Sequence, residues 1–120
     1  MRTMLETKSL SASTMIGSEV KNAAGERLGK IEDFVLDLES GRIAYAVLSF
    51  GGFLHIGNKL FALPPKALKF SAEGGEFIVN IDKSILKNAP GFDKDNWPDV
   101  ADRGYATKIY AYYGFTPYWE

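Results

Sequence analysis

From Met15 to Ile81 the chain alternates short apolar runs with turns bearing glycine or proline, at intervals of roughly ten residues, the rhythm of a small β protein. Met15 to Asn22 predicts a short strand, and Asn22-Ala23-Ala24-Gly25 a turn whose glycine accepts a positive φ. Between Leu28 and Leu38, Ile31 and Phe34 stand three apart, whereas Phe34, Leu36 and Leu38 stand two apart. A strict two-residue period cannot hold both sets on one face, so a β-bulge near Glu32-Asp33 is predicted to bend this strand. Glu39-Ser40-Gly41 reads as a hairpin connection. The strand after it, Arg42 to Phe50, is apolar or small on both faces and is predicted to be the most buried. Gly51-Gly52 then turns a corner, Lys59 to Leu63 forms a strand, and Pro64-Pro65 stops it, because neither proline donates to a ladder. Lys66 to Phe70, a hairpin at Glu73-Gly74-Gly75, and Glu76 to Ile81 complete five or six strands. Their spacing argues for a small antiparallel barrel or sandwich.

The pattern changes after Asp82. Asp82 or Ser84 is a candidate cap for a short helix over Ile85 to Asn88, stopped by Pro90-Gly91. Asp93 to Asp99 reads as a polar loop. Asp102 is then placed to cap a second helix running to about Tyr113, with Gly114 as its C-terminal stop. On that helix Tyr105, Ile109, Tyr112 and Tyr113 recur at helical spacing and predict a common face. The residues before the first strand are polar and aperiodic. The division is therefore a flexible arm over 1–13, a β unit over 14–82 and a helical aromatic extension over 83–120.

Composition narrows the class without naming a chemistry. A chain of 120 residues, 46% hydrophobic and 24% charged, fits one globular domain with a real core. The net charge of −1 comes from scattered residues and supplies no field to hold a polyanion, so nucleic acid is not an expected partner. The absence of cysteine removes disulfides and thiolate chemistry and suits a reducing compartment. Glu6 and Lys8 interrupt the apolar residues near the N-terminus, which argues against a signal peptide. No run approaches the ~20 apolar residues of a membrane helix. A cytoplasmic protein without membrane insertion is expected.

Candidate catalytic and metal motifs are thin. His55 is the lone histidine; Ser49 with Asp33 or Asp37 would complete a triad on paper, but no nucleophile elbow surrounds Ser49. Asp93-Lys94-Asp95-Asn96 opens like a calcium loop, yet its sixth position is Pro98 and its twelfth is Gly104, so a turn role is expected instead. Glu32, Asp33, Asp37 and Glu39 read as solvated carboxylates, and the paired glycines lack the lysine and helix start of a phosphate loop. No enzyme activity, cofactor or metal is expected. The aromatic residues are more informative, since one short helix on a small sheet cannot bury so many rings. Trp97, Tyr112, Tyr113, Phe115 and Trp119, with Phe53, Leu54 and His55 after the glycine corner, form the candidate interaction surface.

Taken in order, Ile16-Gly17-Ser18-Glu19-Val20, Gly25-Glu26-Arg27-Leu28-Gly29-Lys30-Ile31-Glu32-Asp33, Asp37-Leu38-Glu39-Ser40-Gly41-Arg42-Ile43-Ala44-Tyr45, Ser49-Phe50-Gly51-Gly52 and Lys59-Leu60-Phe61-Ala62-Leu63-Pro64 resemble the PRC-barrel family over residues 14–82. The part with Trp97-Pro98 and the tyrosine-rich helix is similar to the extension of stand-alone bacterial members. That family includes the cytoplasmic domain of the photosynthetic reaction-centre H subunit and a ribosome maturation factor that docks on a ribosomal protein. The resemblance implies a mainly β fold, a small antiparallel PRC-type barrel with one or two short C-terminal helices. It further implies a non-catalytic protein-protein interaction or assembly module, here expected to form a homodimer and to engage another protein. The alternative is a barrel whose mouth, near Phe53, Leu54 and His55, binds a small ligand.

Overall fold

The computed structural model describes residues 10–50, 59–71, 75–99 and 102–120. A four-residue helix α1 (Ala12–Met15), capped by the Ser11 side chain on the Thr14 N–H, precedes the sheet. Seven strands follow: β1 (Glu19–Asn22), β2 (Arg27–Asp37), β3 (Arg42–Phe50), β4 (Lys59–Leu63), β5 (Leu68–Ser71), β6 (Glu76–Val79) and β7 (Gly91–Asp93). Helices α2 (Lys83–Lys87) and α3 (Arg103–Tyr113) flank β7 in the chain. The strands form one sheet in the order β5-β6-β1-β2-β3-β4-β7.

This differs from the expected closed antiparallel barrel in two respects. β1 and β6 run parallel, Val20 beside Phe77, so the sheet is mixed. No ladder among the described residues joins β5 to β7, and the sheet is open. It nevertheless curls strongly. Val20, Leu28, Ile31, Leu48, Phe61, Leu63 and Phe77, from five strands, form one buried cluster, and Leu68 and Phe70 of β5 pack against it. The parallel pair arises because β4 is followed not by a tight hairpin but by Pro64 and a single 3₁₀ turn over Pro65–Ala67, which carries β5 and β6 across to the far side of β1.

β3 and β4 are buried on both faces, as the sequence predicts for β3. Leu48, Phe61 and Leu63 enter the cluster within the curl, while Tyr45, Val47, Leu60 and Ala62 enter a second cluster on the outer face. Helix α3 covers that outer face with Ala106, Ile109 and Tyr110. Asp102 Oδ1 accepts from the Gly104 N–H at 2.8 Å and Gly114 ends the helix at φ 77°, matching the predicted bounds. The predicted face is rotated slightly: Tyr110 is buried and Tyr112 is 39% exposed. The Tyr112 hydroxyl donates instead to the Ile85 carbonyl of α2 at 2.6 Å.

Three irregularities shape β2 and β3. Leu28 is the extra residue opposite β1, and Glu32 is the extra residue opposite β3, where the phase of the apolar pattern breaks. The third is on β3: the partner of Val35 is Tyr45 but the partner of Leu36 is Ile43, which leaves Ala44 between registered pairs. The Ala44 carbonyl accepts from the Tyr110 hydroxyl at 2.7 Å in a buried position. One residue of α3 therefore satisfies the carbonyl that the bulge strands.

Two stability measurements check this account. A Cβ at Gly29 would lie 1.8 Å from the Ser49 carbonyl oxygen, whereas one at Gly41 (φ 74°) meets nothing. Gly41→Ala should cost about 1–2 kcal/mol for its left-handed backbone, and Gly29→Ala clearly more in urea unfolding; an equal loss contradicts the close β2–β3 approach. Tyr110→Phe should cost about 1–3 kcal/mol, the penalty of a buried acceptor left unpaired, and a loss below a few tenths in the same assay contradicts the bulge-and-plug arrangement.

Candidate functional site

The β2–β3 hairpin is longer than its neighbours. β1 pairs with β2 only from Arg27 to Lys30, and β4 with β3 only from Ala46 to Phe50. The end of the hairpin, Leu36 to Arg42, therefore projects past the flanking strands. Leu36 is 59% and Leu38 90% exposed, although their spacing continues that of Phe34, which packs on the inner cluster. Asp37 shapes the turn, its carbonyl accepting from the Gly41 N–H at 2.8 Å and its Oδ1 from the Glu39 N–H at 3.0 Å.

Behind the projecting end lie the first turn of α3 and the C-terminal tail. The tail leaves α3 at Gly114, its Phe115 N–H bonds the Tyr110 carbonyl, and it returns along α3 to the hairpin. There the Tyr118 hydroxyl donates to Asp37 Oδ2 at 2.6 Å, and Arg42 Nη1 donates to the Tyr118 carbonyl at 3.2 Å. Arg103 Nη2 lies 3.4 Å from the same Asp37 oxygen. Its guanidinium also covers the Trp119 ring at 4.4 Å, within cation–π range. Trp119 in turn meets Tyr110 and Tyr118 edge-on, at 5.5 and 4.9 Å between centroids.

These pieces enclose a cleft of about 420 Å³ between hairpin, helix and tail. A second lobe of about 350 Å³, reaching Ser40 and Arg42, shares Asp37, Glu39, Arg103, Tyr118 and Trp119 with it. The Tyr118 hydrogen bond, chiefly, holds the Asp37 carboxyl below its ordinary value of 3.8. Burial, aided by the same bond to Asp37, pushes the Tyr118 phenol up to about 12. Asp37 is thus an ionised acceptor tied to two partners, the reverse of a carboxylate poised to take a proton.

Elsewhere under α3, burial raises the Tyr45 and Tyr105 phenols to about 12 and pushes Tyr113 up further. Tyr45 and Tyr105 meet edge-on at 5.8 Å between centroids. These rings belong to the outer cluster and serve packing.

Sequence reasoning named several of these residues but not their grouping. Trp119 lies at the cleft. Trp97 is half-buried against Phe92 at 5.1 Å between centroids, Tyr113 packs against both clusters, and Phe115 is half-buried in the tail. Tyr112 sits at the α2–α3 contact. The Tyr112 and Tyr113 rings meet edge-on at 4.9 Å between centroids, while Trp97 stands on Phe92 and Trp119 at the cleft. Phe53, Leu54 and His55, with the Gly51-Gly52 corner and the small-ligand site read there, lie outside the described residues. Ser49 and Asp37 stand near opposite ends of the hairpin ladder, about 20 Å apart at ~3.3 Å per residue, so no triad joins them. Asp93 to Asn96 make a turn, the Asn96 N–H bonding the Asp93 carbonyl. Among the described residues no group of three or more His, Cys, Asp or Glu is arranged to hold a metal ion. Arg103 and Arg42 were not singled out; the only local signal was the Asp37-to-Gly41 turn spacing, which says nothing of partners 66 or 81 residues away.

The family model for the PRC-barrel domain matches residues 8–86. This chain belongs to the PRC-barrel family. A comparison with curated proteins finds no match. The matched span contains the hairpin, with Asp37 and Arg42, but stops before Arg103, Tyr118 and Trp119. The cleft therefore has one wall within the PRC-barrel domain and the others in the segment that follows it.

The hairpin–tail contact should be visible in pH titrations. Because the folded Asp37 value lies below 3.8, its contribution to stability is complete above about pH 4 and is lost as the pH falls through the folded value. Tyr118, raised from 10.0 to about 12, contributes fully below pH 10 and loses that contribution as the pH rises through 12. Tyr118→Phe should shrink the acid limb of the stability curve, and Asp37→Asn should lower the alkaline midpoint of tyrosinate absorbance; unchanged titrations in both variants contradict the contact.

Proposed function

We propose that this chain is a non-catalytic protein-interaction module, in which a curled, barrel-type sheet presents the projecting β2–β3 hairpin and the cleft behind it to another protein, a second copy of the chain included. The observation that carries this reading is the exposure of Leu36 and Leu38 at the rim of a cleft walled by charged and aromatic side chains. An apolar rim beside oriented polar groups is the composition of a protein contact, where the rim contributes burial and the polar groups fix register. The commitment of Asp37 to Tyr118 and Arg103 favours recognition over proton transfer. Among the described residues no helix is long and apolar enough to cross a membrane, and the lack of cysteine favours a cytoplasmic setting.

A photo-cross-linking side chain placed at Leu38, with exposed Lys66 as a control position, tests the reading in cells that make the protein. The expected result is a discrete protein adduct from position 38 and none from 66, abolished by Leu36→Asp, with sedimentation of the purified chain showing whether the adduct is a dimer. Leu36→Asp should leave unfolding stability within about 0.5 kcal/mol, as an exposed position does. No adduct at position 38, together with a monomer at micromolar concentration, overturns it.

A further inference from the structure

The charges around the cleft specify the chemistry of what it receives, given the interaction reading above. Its main lobe is walled by three carboxylates, Asp37, Glu39 and Asp102, against the single guanidinium of Arg103. Arg103 is already spent: Asp37 balances its charge and Trp119 covers its face. Arg42 stands in the second lobe, where two carboxylates and two guanidiniums line the wall, and it is engaged by the Tyr118 carbonyl. Across both lobes three carboxylates, Asp37, Glu39 and Asp102, face two guanidiniums, Arg42 and Arg103, so the cleft keeps a negative excess; Asp102 Oδ1 accepts from the Gly104 N–H. Glu39 is exposed and makes no ion pair among the described residues, whose ion pairs join Lys21 to Glu76, Arg27 to Glu19 and Arg103 to Asp37.

The shape is equally selective. About 420 Å³ lies at the small end of ligand sites, ~300–1,000 Å³, and admits one long side chain rather than a folded element. Half-buried Trp119 offers apolar surface to a stem, and the acidic groups stand beside it. A lysine or arginine has this form, an aliphatic stem with a cationic head. Leu36 and Leu38 lie at the rim, where the residues flanking such a side chain would rest.

We propose that the cleft receives one lysine or arginine side chain of a partner protein, its cationic head held by Glu39 and Asp102 and its stem laid on Trp119, with apolar neighbours in the partner seated on Leu36 and Leu38. Protein-borne cations are favoured over free amines because the exposed leucines contribute only when apolar groups flank the charge. The anionic occupant that Arg103 and Arg42 would otherwise invite is disfavoured, since both guanidiniums are engaged within the chain.

The test uses the full chain, isotope-labelled, with the indole N–H signal of Trp119 as reporter and that of Trp97 as internal reference. Three pentapeptides serve as probes: acetyl-Ala-Leu-Lys-Leu-Ala amide, the same peptide with norleucine in place of lysine, and the same with glutamate; N-acetyl-lysine amide is the fourth. The expected result is a titratable shift of Trp119 and not Trp97, with the lysine peptide about five-fold tighter than the norleucine peptide, the size of one exposed charge pair. That advantage should fall with added salt, shrink in Glu39→Gln and approach unity when Asp102→Asn is added to it. N-acetyl-lysine amide should bind more weakly than the lysine peptide. Equal affinity of the lysine and norleucine peptides overturns the cationic occupant, as does tighter binding of the glutamate peptide, and equal affinity of N-acetyl-lysine amide overturns a protein-borne one. A position-38 adduct in cells alongside any of these leaves the interaction reading standing while this inference fails; absence of that adduct together with a monomer at micromolar concentration overturns both.

Discussion

Everything in this molecule answers to one constraint: β3 and β4 are apolar on both faces, so the sheet must be covered twice. The strands solve the inner face by curling, so that residues of β1, β2, β3, β4 and β6 meet around Ile31, Leu48 and Phe61. They cannot solve the outer face, where Tyr45, Val47, Leu60 and Ala62 would otherwise meet water. Helix α3 is the answer to that second requirement. Burying it costs a bulged carbonyl at Ala44, and the Tyr110 hydroxyl supplies the donor that the ladder omits.

The cleft is a by-product of that cover. With α3 fixed on the outer face, its first turn and the returning tail are held against the part of the hairpin that outruns β1 and β4. Asp37 then joins turn to tail through Tyr118, and Arg103 joins helix to both. The PRC-barrel span supplies the hairpin wall alone. The same strands followed by a different segment would present a different surface, because the other walls of the cleft lie outside that span.

What was legible in the sequence was local. The phase break between Ile31 and Phe34 announced the bulge at Glu32, the two-sided apolar run announced the burial of β3, and Asp102 with Gly114 bounded α3. What was not legible depended on distant partners. β7 is only three residues long, Gly91–Asp93 directly after Pro90, too short to alternate, and is defined by its pairing with β4. The parallel pairing of β1 with β6 leaves no periodic trace, because each strand alternates just as it would beside an antiparallel neighbour. The observed face of α3 differs from the expected one by part of a turn for a related reason. Tyrosines at 110, 112 and 113 weigh alike in a hydrophobic pattern, and only the carbonyl of Ala44 and the carbonyl of Ile85 distinguish them. The exposure of Leu36 and Leu38 leaves no mark in the sequence, because strand periodicity says which side a residue faces, not whether any neighbour is there to cover it.

The parallel β1–β6 pair also sets an order of assembly. β1 to β4 join through near neighbours and can form a meander as soon as they emerge, but β1 keeps one bare edge until β6 arrives from far along the chain. Closing that distance is entropically slow, and it must happen before the inner cluster is complete. Helix α3 comes later still, so the outer face of β3 and β4 stays wet through most of synthesis. A nascent chain of this kind carries an open strand edge and an apolar sheet face together, the pairing that invites aggregation. β6 ends the first of these exposures, and the last quarter of the sequence, which carries α3, ends the second.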